Sequence, residues 1–270
     1  MAGAAPTPRA HGVVRLGRLE RPALLGVLMR EVINFSSYWR STTFSATVEP
    51  TIYLLAFGFG FGSLVSTVGG YDYVEFVGTG TVATAVLFSS AFAAMFGTFI
   101  KYQFQRTYDA ILAAPVDVEE LVTAEALWIG VRAGTYGCAP LLVAMVFGID
   151  PAWGMVLVPA FGFLAGYGWA CFGILIAATA TSIENFNYVI SAGLTPLFLV
   201  AGTFFPIDGL PDWAQTLAQG NPLHHLVELV RHAAFGFEGW TDVVHVAVLV
   251  AFALLMWRLA TWRMEKRLIE

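Results

Sequence analysis

The sequence predicts an all-α integral membrane protein, and three observations lead to this fold class. The 270-residue chain is 57% hydrophobic and 12% charged, with a mean hydropathy of +0.70. Its apolar residues gather in stretches long enough to cross a bilayer, which takes about 20 helical residues. Its Lys and Arg residues collect in the gaps that would face one side of that bilayer. This combination is typical of a lipid-solvated helical bundle rather than of a large soluble domain.

Six apolar stretches are predicted to span the membrane. They lie at residues 42–64, 73–100, 121–147, 153–181, 186–205 and 241–262. If the N-terminus is cytosolic, all Lys and Arg residues except Arg132 and Arg231 fall in cytosolic segments or at cytosolic span ends. Acidic residues dominate the outer loops. We therefore predict a multi-pass plasma membrane protein with both termini in the cytosol, because an even number of spans returns the chain to the side on which it starts.

The chain before the first span has two predicted parts. Residues 1–21 are rich in Ala, Pro, Gly and Arg and lack the apolar core of a signal peptide, so we expect a disordered cytosolic leader and a membrane domain over 22–270. An amphipathic helix follows, whose apolar face comprises Leu24, Leu25, Leu28, Val32, Phe35 and Trp39. It is predicted to lie in the cytosolic interface. The alternative, an early start of the first span, would place Arg30 and Glu31 in lipid.

The gap between the second and third spans, residues 101–120, contains signals for a short helix. Thr107 or Asp109 could begin a helix that ends near Leu112, before the helix breaker Pro115. Asp117 and Glu120 then have the spacing of a capping box for the third span. A short helix on the cytosolic face could dock into a groove on a soluble partner, although an inert loop fits the local pattern equally well.

The outer segment between the fifth and sixth spans is divided by Pro and Gly residues into two short predicted helices. The second helix has an apolar face and a polar face. The apolar residues are Leu223, Leu226, Val227, Val230 and Ala234, and the polar ones are His224, His225, Glu228, Arg231 and His232. This pattern predicts re-entrant helices that dip into the outer leaflet, with Glu228 in contact with Arg231 or His232 at helical spacing.

Charged and aromatic residues inside the spans raise two further possibilities. Glu125 and Arg132 are seven residues apart, hence on one face of the third span. A buried arginine needs a counter-ion, and we expect this to be Glu125 or Glu49. In the first span, Phe57 and Phe61 alternate with glycines, which is compatible with an aromatic surface for an amphipathic substrate or with ordinary lipid-facing packing.

Catalytic and nucleotide-binding motifs are missing from the sequence. It contains no GxSxG, HExxH or GxxxxGK[ST] pattern. We therefore expect no enzymatic activity and no cofactor or metal bound by this chain, and we interpret the His224, Glu228 and His232 spacing as a polar helix face. No basic surface for nucleic acid is evident. A secondary carrier or a channel-like protein that acts without nucleotide remains possible, and any ATP-driven work must come from another subunit.

Two short segments carry a family resemblance. These are residues 106–115, RTYDAILAAP, and residues 201–206, AGTFFP, followed by the pair Leu210 and Pro211, then Asn221, Pro222 and Leu223, and Arg231. Together with the order of predicted helices, they resemble the permease subunits of type-2 ABC exporters. The similarity is greatest to nodulation-factor (lipo-chitooligosaccharide) exporter permeases, with drug and polysaccharide exporter permeases close behind.

This resemblance implies a bacterial inner-membrane permease that moves an amphipathic, lipidic, glycolipid or drug-like substrate outward. Its partners would be two ATP-binding cassette subunits, which hold ATP and Mg, a second copy or a related permease, and membrane lipid. The implied coupling helix contains Arg106, Thr107, Tyr108, Asp109, Ala114 and Pro115. The implied outer gate contains Gly202, Phe205, Pro206, Pro211, Pro222 and Arg231. The implied substrate path contains Phe57, Phe61, Phe198 and Phe204.

Overall fold

The computed structural model describes residues 21–60, 62, 64, 65 and 67–269. The predicted leader therefore lies outside the described residues, apart from Arg21. Within them the chain forms ten longer helices, one short 3-10 helix (Ile207–Gly209) and one two-stranded hairpin. The helices are α1 (Arg21–Phe35), α2 (Trp39–Gly60), α3 (Tyr73–Phe104), α4 (Thr107–Leu112), α5 (Val118–Val146), α6 (Trp153–Thr179), α7 (185–199), α8 (Asp212–Gln219), α9 (Pro222–Phe235) and α10 (Trp240–Ile269). The strands β1 (Thr67–Val68) and β2 (Tyr71–Asp72) pair antiparallel between α2 and α3.

Four helices are long and apolar enough to cross a membrane. These are α3, α5, α6 and α10, with 32, 29, 27 and 30 residues. They coincide with the second, third, fourth and sixth predicted spans, so these four predictions are confirmed in length and composition. Helix α2 has 22 residues, but its Ser, Thr and Glu residues make it less apolar. Helix α7 rises only about 22 Å, less than the roughly 30 Å hydrocarbon core. A count of six spans therefore remains a prediction.

Helix α6 lies at the centre of the bundle and packs along α5 and α10, and also against α3. Small residues allow these helices to approach closely. Gly162 of α6 faces Gly134 of α5, and a Cβ added at Gly162 would lie 3.0 Å from the Cα of Gly134. At Gly173 an added Cβ would lie 2.5 Å from the carbonyl oxygen of Ala91 on α3. The glycines of α6 thus allow it to approach both α5 and α3 closely.

A compact apolar cluster joins the two short helices α1 and α4 to the bundle. Val27 of α1 and Tyr108 of α4 lie in it together with Leu121 of α5, Ile174 of α6 and Met264 of α10. All five side chains are buried. Helix α4 is therefore joined, through Tyr108, to an apolar cluster that also contains residues of three long helices.

Helix α1 precedes α2 as predicted, but only part of its predicted apolar face packs against the bundle. Leu24, Leu28 and Phe35 of that face are half-buried, whereas Leu25 and Val32 are exposed. The stripe against the bundle runs through Val27, Glu31 and Phe35. The reason is electrostatic, because Glu31 forms an ion pair with a lysine of α3 and turns the helix toward it. A count of apolar residues around the helix does not register that contact.

The tight contact at Gly173 generates a stability prediction. In Gly173→Ala, the added methyl group should overlap the α3 backbone and lower the free energy of unfolding by about 1–3 kcal/mol. The matched control is Gly97→Ala, where a Cβ would meet nothing within 4 Å. The melting temperatures of both variants are measured in mild detergent, with size-exclusion chromatography as the readout of unfolding. Equal melting temperatures for the two variants would contradict the packing described for α6.

Candidate coupling helix, outer gate and substrate cavity

The short helix α4 lies where the sequence predicts it, from Thr107 to Leu112. The chain enters it through Arg106, whose φ of 52° is in the left-handed region, uncommon for a residue other than glycine. Neither Thr107 nor Asp109 caps the helix, because the N-cap position is occupied by Arg106, without a side-chain cap bond. The capping box at the start of α5 is confirmed, with the Asp117 backbone N–H donating to Glu120 Oε2 at 3.0 Å.

The predicted coupling residues divide between an exposed and a buried side of α4. Arg106, Asp109, Ala114 and Pro115 are exposed, and Thr107 is half-buried. Arg106 and Asp109 form a surface ion pair at 3.6 Å. Tyr108 points inward and is only 1% exposed. The segment thus offers a solvent-facing surface on a helix whose inner face is fixed.

A buried ion-pair cluster fixes that inner face. It consists of Arg30, Glu31, Lys101, Tyr108 and Glu125. The Tyr108 hydroxyl donates to Glu125 Oε2, and Lys101 Nζ donates to Glu125 Oε1 at 2.9 Å and to Glu31 Oε1 at 2.8 Å. Arg30 Nη1 lies 2.7 Å from the same Glu31 oxygen. The cluster therefore connects α4 and α5 with α1 and the end of α3.

The protonation of Tyr108 is set by its surroundings. Burial, and secondarily the nearby Glu125 carboxylate, raises the pKa of Tyr108 well above its ordinary value. Both causes disfavour the phenolate. Tyr108 is therefore a hydrogen-bond donor to Glu125 at any physiological pH.

The predicted ion pair between Glu125 and Arg132 is wrong. Two helical turns, about 10 Å, separate the two residues, and Glu125 is satisfied by Lys101 and Tyr108 instead. Arg132 stacks on the ring of Phe35, with its guanidinium carbon 5.5 Å from the ring centroid. The other proposed counter-ion, Glu49, has a side chain outside the described part of the structure.

The predicted outer-gate residues Gly202 and Arg231 meet in a buried contact. Arg231 Nη2 donates to the Gly202 carbonyl oxygen at 2.5 Å, and Nη1 pairs with Glu228 at 2.8 Å. The guanidinium also lies 3.8 Å from the Phe76 ring centroid. Gly202 has a φ of +84°, a conformation that other residues rarely adopt. Residues 202 and 231 are thus tied together across 29 positions of sequence.

The remaining gate residues lie around this contact. Phe205 and Pro206 line a cavity described below. Pro211 occupies the N-cap position of α8, and Pro222 is the first residue of α9, where a missing N–H costs nothing.

Most of the polar face of α9 is packed inside the protein, with His225, Arg231 and His232 buried and His224 and Glu228 half-buried. His225 Nδ1 lies 2.6 Å from His245 Nδ1, and His232 Nδ1 lies 2.6 Å from Asp242 Oδ1. Both partners belong to α10. With His224, Glu228 and Arg231 these residues form an outer polar cluster, and the predicted contact of Glu228 with Arg231 is confirmed. Sequence reasoning missed His245 and Asp242, since pairing between helices leaves no local pattern.

Burial also affects the histidines of α9. It lowers the pKa of His224 and of His225 below the ordinary histidine value. In His225 the backbone carbonyl of Gln219, 2.8 Å from Nε2, partly opposes this effect. The folded state therefore favours neutral rings at these two positions.

A lateral cavity of about 1200 Å³ opens between α2, α3, α5 and α7. Three of the four residues predicted for the substrate path, Phe57, Phe198 and Phe204, line it. Their rings are in contact, with centroids 4.7 Å apart for Phe57 and Phe204 and 5.5 Å apart for Phe198 and Phe204. The fourth, Phe61, lies outside the described residues. Arg132 also lines the cavity.

These features define a multi-pass membrane protein of the transport class, with a lateral cavity and a short, exposed helix held by the bundle. The ABC-2 type transporter family matches residues 23–235, and the chain belongs to this family.

Individual relatives agree with this assignment. The chain is 32% identical to nodulation protein J of Sinorhizobium fredii over 82% of this chain and 85% of that protein. It is 29% identical to nodulation protein J of Rhizobium leguminosarum bv. trifolii, with the same coverages. It is 27% identical to the inner membrane transport permease YadH of Escherichia coli over 88% of this chain and 94% of YadH.

The ion-pair cluster generates a second prediction. In Lys101→Met, Glu31 and Glu125 would lose the cation that they share, and an unpaired buried charge costs about 3–5 kcal/mol of stability. The melting temperature in detergent should fall sharply. The control Arg106→Met removes an exposed ion pair, which contributes at most about 1 kcal/mol. A Lys101→Met protein as stable as this control would show that the cluster does not hold the helices together.

The histidine pair generates a third prediction. Because the pKa values of His224 and His225 are lowered in the folded state, the unfolded state binds more protons below the ordinary value of about 6.5. Stability should therefore decrease as pH falls through that value. Two protonated rings at positions 225 and 245 would also place two donors 2.6 Å apart. Melting temperatures measured from about pH 7.5 to about pH 5.5 should drop less in His225→Gln than in the parent protein. Parallel curves would refute this assignment.

Proposed function

We propose that this chain is the permease subunit of an ATP-driven exporter in the bacterial inner membrane. The observation that carries the proposal is the exposed helix α4, held from inside by the buried ion-pair cluster. Membership of the ABC-2 type transporter family supports it, as do the permease relatives. The sequence has no phosphate-binding GxxxxGK[ST] loop, so hydrolysis of ATP is assigned to separate subunits. The chain itself is then a non-catalytic permease.

In this proposal two ATP-binding cassette subunits, which hold ATP and Mg, dock against the exposed side of α4. The docking surface is formed by Arg106, Asp109, Ala114 and Pro115. Movement of those subunits would be transmitted through Tyr108 and Glu125 into α5, α3 and α1 together. A second permease, identical or related, would complete the pathway across the membrane.

The proposed topology has six spans, with α2 as the first and α7 as the fifth. Both termini and α4 are then cytosolic, and α8 and α9 are on the outer side. The contact of Arg231 with Gly202 would hold α9 against the end of α7 as part of an outer gate. Charge placement supports this orientation, because the Lys and Arg residues concentrate at the α4 side.

The substrate is proposed to be amphipathic, with lipidic, glycolipid and drug-like molecules as candidates. The lateral cavity, lined by Phe57, Phe198 and Phe204, supports this class. A secondary carrier or channel that acts without nucleotide is the alternative. The feature that favours it is Arg132, a cation beside the cavity that forms no ion pair with a carboxylate among the described residues.

Purification with native partners separates the two proposals. The tagged chain is isolated from its own membranes in mild detergent, and co-eluting proteins are identified by mass spectrometry. An ATP-binding subunit near one-to-one stoichiometry, with vanadate-sensitive ATP hydrolysis, would support the exporter. Repeated recovery of the chain alone, without ATPase activity, would favour the carrier or channel.

The docking surface generates a fourth prediction. Asp109→Lys should leave the permease folded but reduce its co-purification with the ATP-binding subunit at least tenfold, because the change reverses an exposed charge at the centre of the surface. Asp212→Lys is the matched control, since it makes the same charge change on exposed helix α8. Quantitative co-purification measures both variants. Normal recovery of the ATP-binding subunit with Asp109→Lys would show that α4 is not part of the docking surface.

A further inference from the structure

The part of the lateral cavity that is lined by α2 changes in chemistry along the helix. The first two turns of α2 contribute Ser41, Thr42 and Ser45 to the lining, and later turns contribute Tyr53 and Phe57. Ser45 and Tyr53 are eight residues apart, or about 12 Å along the helix axis. Along α2, one end of the lining therefore presents hydroxyl groups, and the other presents aromatic rings.

Arg132 belongs to the hydroxyl end. Tyr136, one turn further along α5, also lines the cavity, and its hydroxyl lies 2.8 Å from Thr43 Oγ1 near the start of α2. The guanidinium carbon of Arg132 lies over the Phe35 ring, 5.5 Å from its centroid. This cation–π contact does not supply a hydrogen-bond acceptor to the guanidinium N–H groups.

Arg132 carries a charge beside the cavity and forms no ion pair with a carboxylate among the described residues. Its Nε atom is enclosed by protein and has no hydrogen-bond partner there. A cation that is partly removed from water and has no anionic partner destabilises the protein. An anionic group in the cavity beside the guanidinium would offset that cost.

We propose that the lateral cavity binds an anionic amphiphile. Its carboxylate or phosphate group would accept hydrogen bonds from the guanidinium of Arg132, and its alkyl chain would lie against Phe57, Phe198 and Phe204. Guanidinium and carboxylate or phosphate groups form strong, charge-assisted hydrogen bonds. The identification of this ligand as the exported cargo rests on the proposed function, whereas its binding does not.

Photo-crosslinking tests the binding without nucleotide or ATP-binding subunits. The purified full chain in nanodiscs of zwitterionic lipid is labelled with a palmitate analogue that carries a diazirine on its acyl chain. Unlabelled palmitate and its uncharged methyl ester serve as competitors. Palmitate should protect at a concentration at least about tenfold lower than the ester, as expected for a charge-assisted hydrogen bond. The label should lie in peptides that contain Phe198 or Phe204.

Variants locate the charged contact. Arg132→Gln should abolish the advantage of palmitate over its ester, and Arg132→Lys should restore most of it because the cation returns. In Phe198→Ala both competitors should weaken equally. Size-exclusion profiles verify that each variant is folded.

The source of the ligand is read from the lipid composition. If phosphatidylglycerol added to the nanodiscs displaces the probe, the anionic amphiphile is a membrane lipid, and if it does not, the amphiphile enters as a free molecule.

Equal protection by palmitate and its ester in the parent protein would overturn the proposal. So would a retained palmitate advantage in Arg132→Gln. Absence of specific labelling, combined with efficient disulfide cross-linking between two copies of Tyr53→Cys, would show that a second permease fills the cavity instead. Because no ATPase takes part, either proposal can fail without the other.

Discussion

Two buried carboxylates share one ammonium group at the α4 end of the bundle, and the arrangement of four helices depends on that sharing. Glu31 of α1 and Glu125 of α5 are both nearly inaccessible, and Lys101 at the end of α3 lies within 2.9 Å of each. Buried charges are tolerated only when they are paired and hydrogen-bonded. Because Tyr108 donates to Glu125, the same cluster also fixes α4, and apolar packing extends the anchorage to α6 and α10.

The opposite end of the bundle follows the same principle with different residues. Arg231 of α9 is held by Glu228 and by the carbonyl oxygen of Gly202, while His225 and His232 of α9 contact α10. Polar contacts thus set the position of both short-helix regions, whereas small residues and apolar packing set the spacing of the long helices between them. The lateral cavity lies between these regions. A displacement at α4 would therefore be carried by the long helices that form the cavity wall.

The parts of the structure that could be predicted from the sequence are those with a signal in a short stretch of chain. Four spans follow from length and hydropathy, α4 follows from its flanking breakers, and the contact of Glu228 with Arg231 follows from helical spacing. Contacts between helices were not predictable in this way. Lys101 is 24 residues from Glu125, and His245 is 20 residues from His225, so no periodicity links them. The packed face of α1 was mistaken for the same reason, because its orientation is set by an ion pair with α3.

The central claim is that α4 and α1 move as one body with the long helices. Spin labels at Ala110→Cys on α4, outside the four residues of the proposed docking surface, and at Met29→Cys on α1 occupy exposed positions. They allow the distance between the two helices to be measured by double electron–electron resonance. The measurement uses the complex with ATP-binding subunits, without nucleotide and with trapped ATP. We expect one narrow distance distribution that is the same without nucleotide and with trapped ATP, and that broadens when Lys101→Met is added. A distance that changes with ATP while the cluster is intact would contradict it.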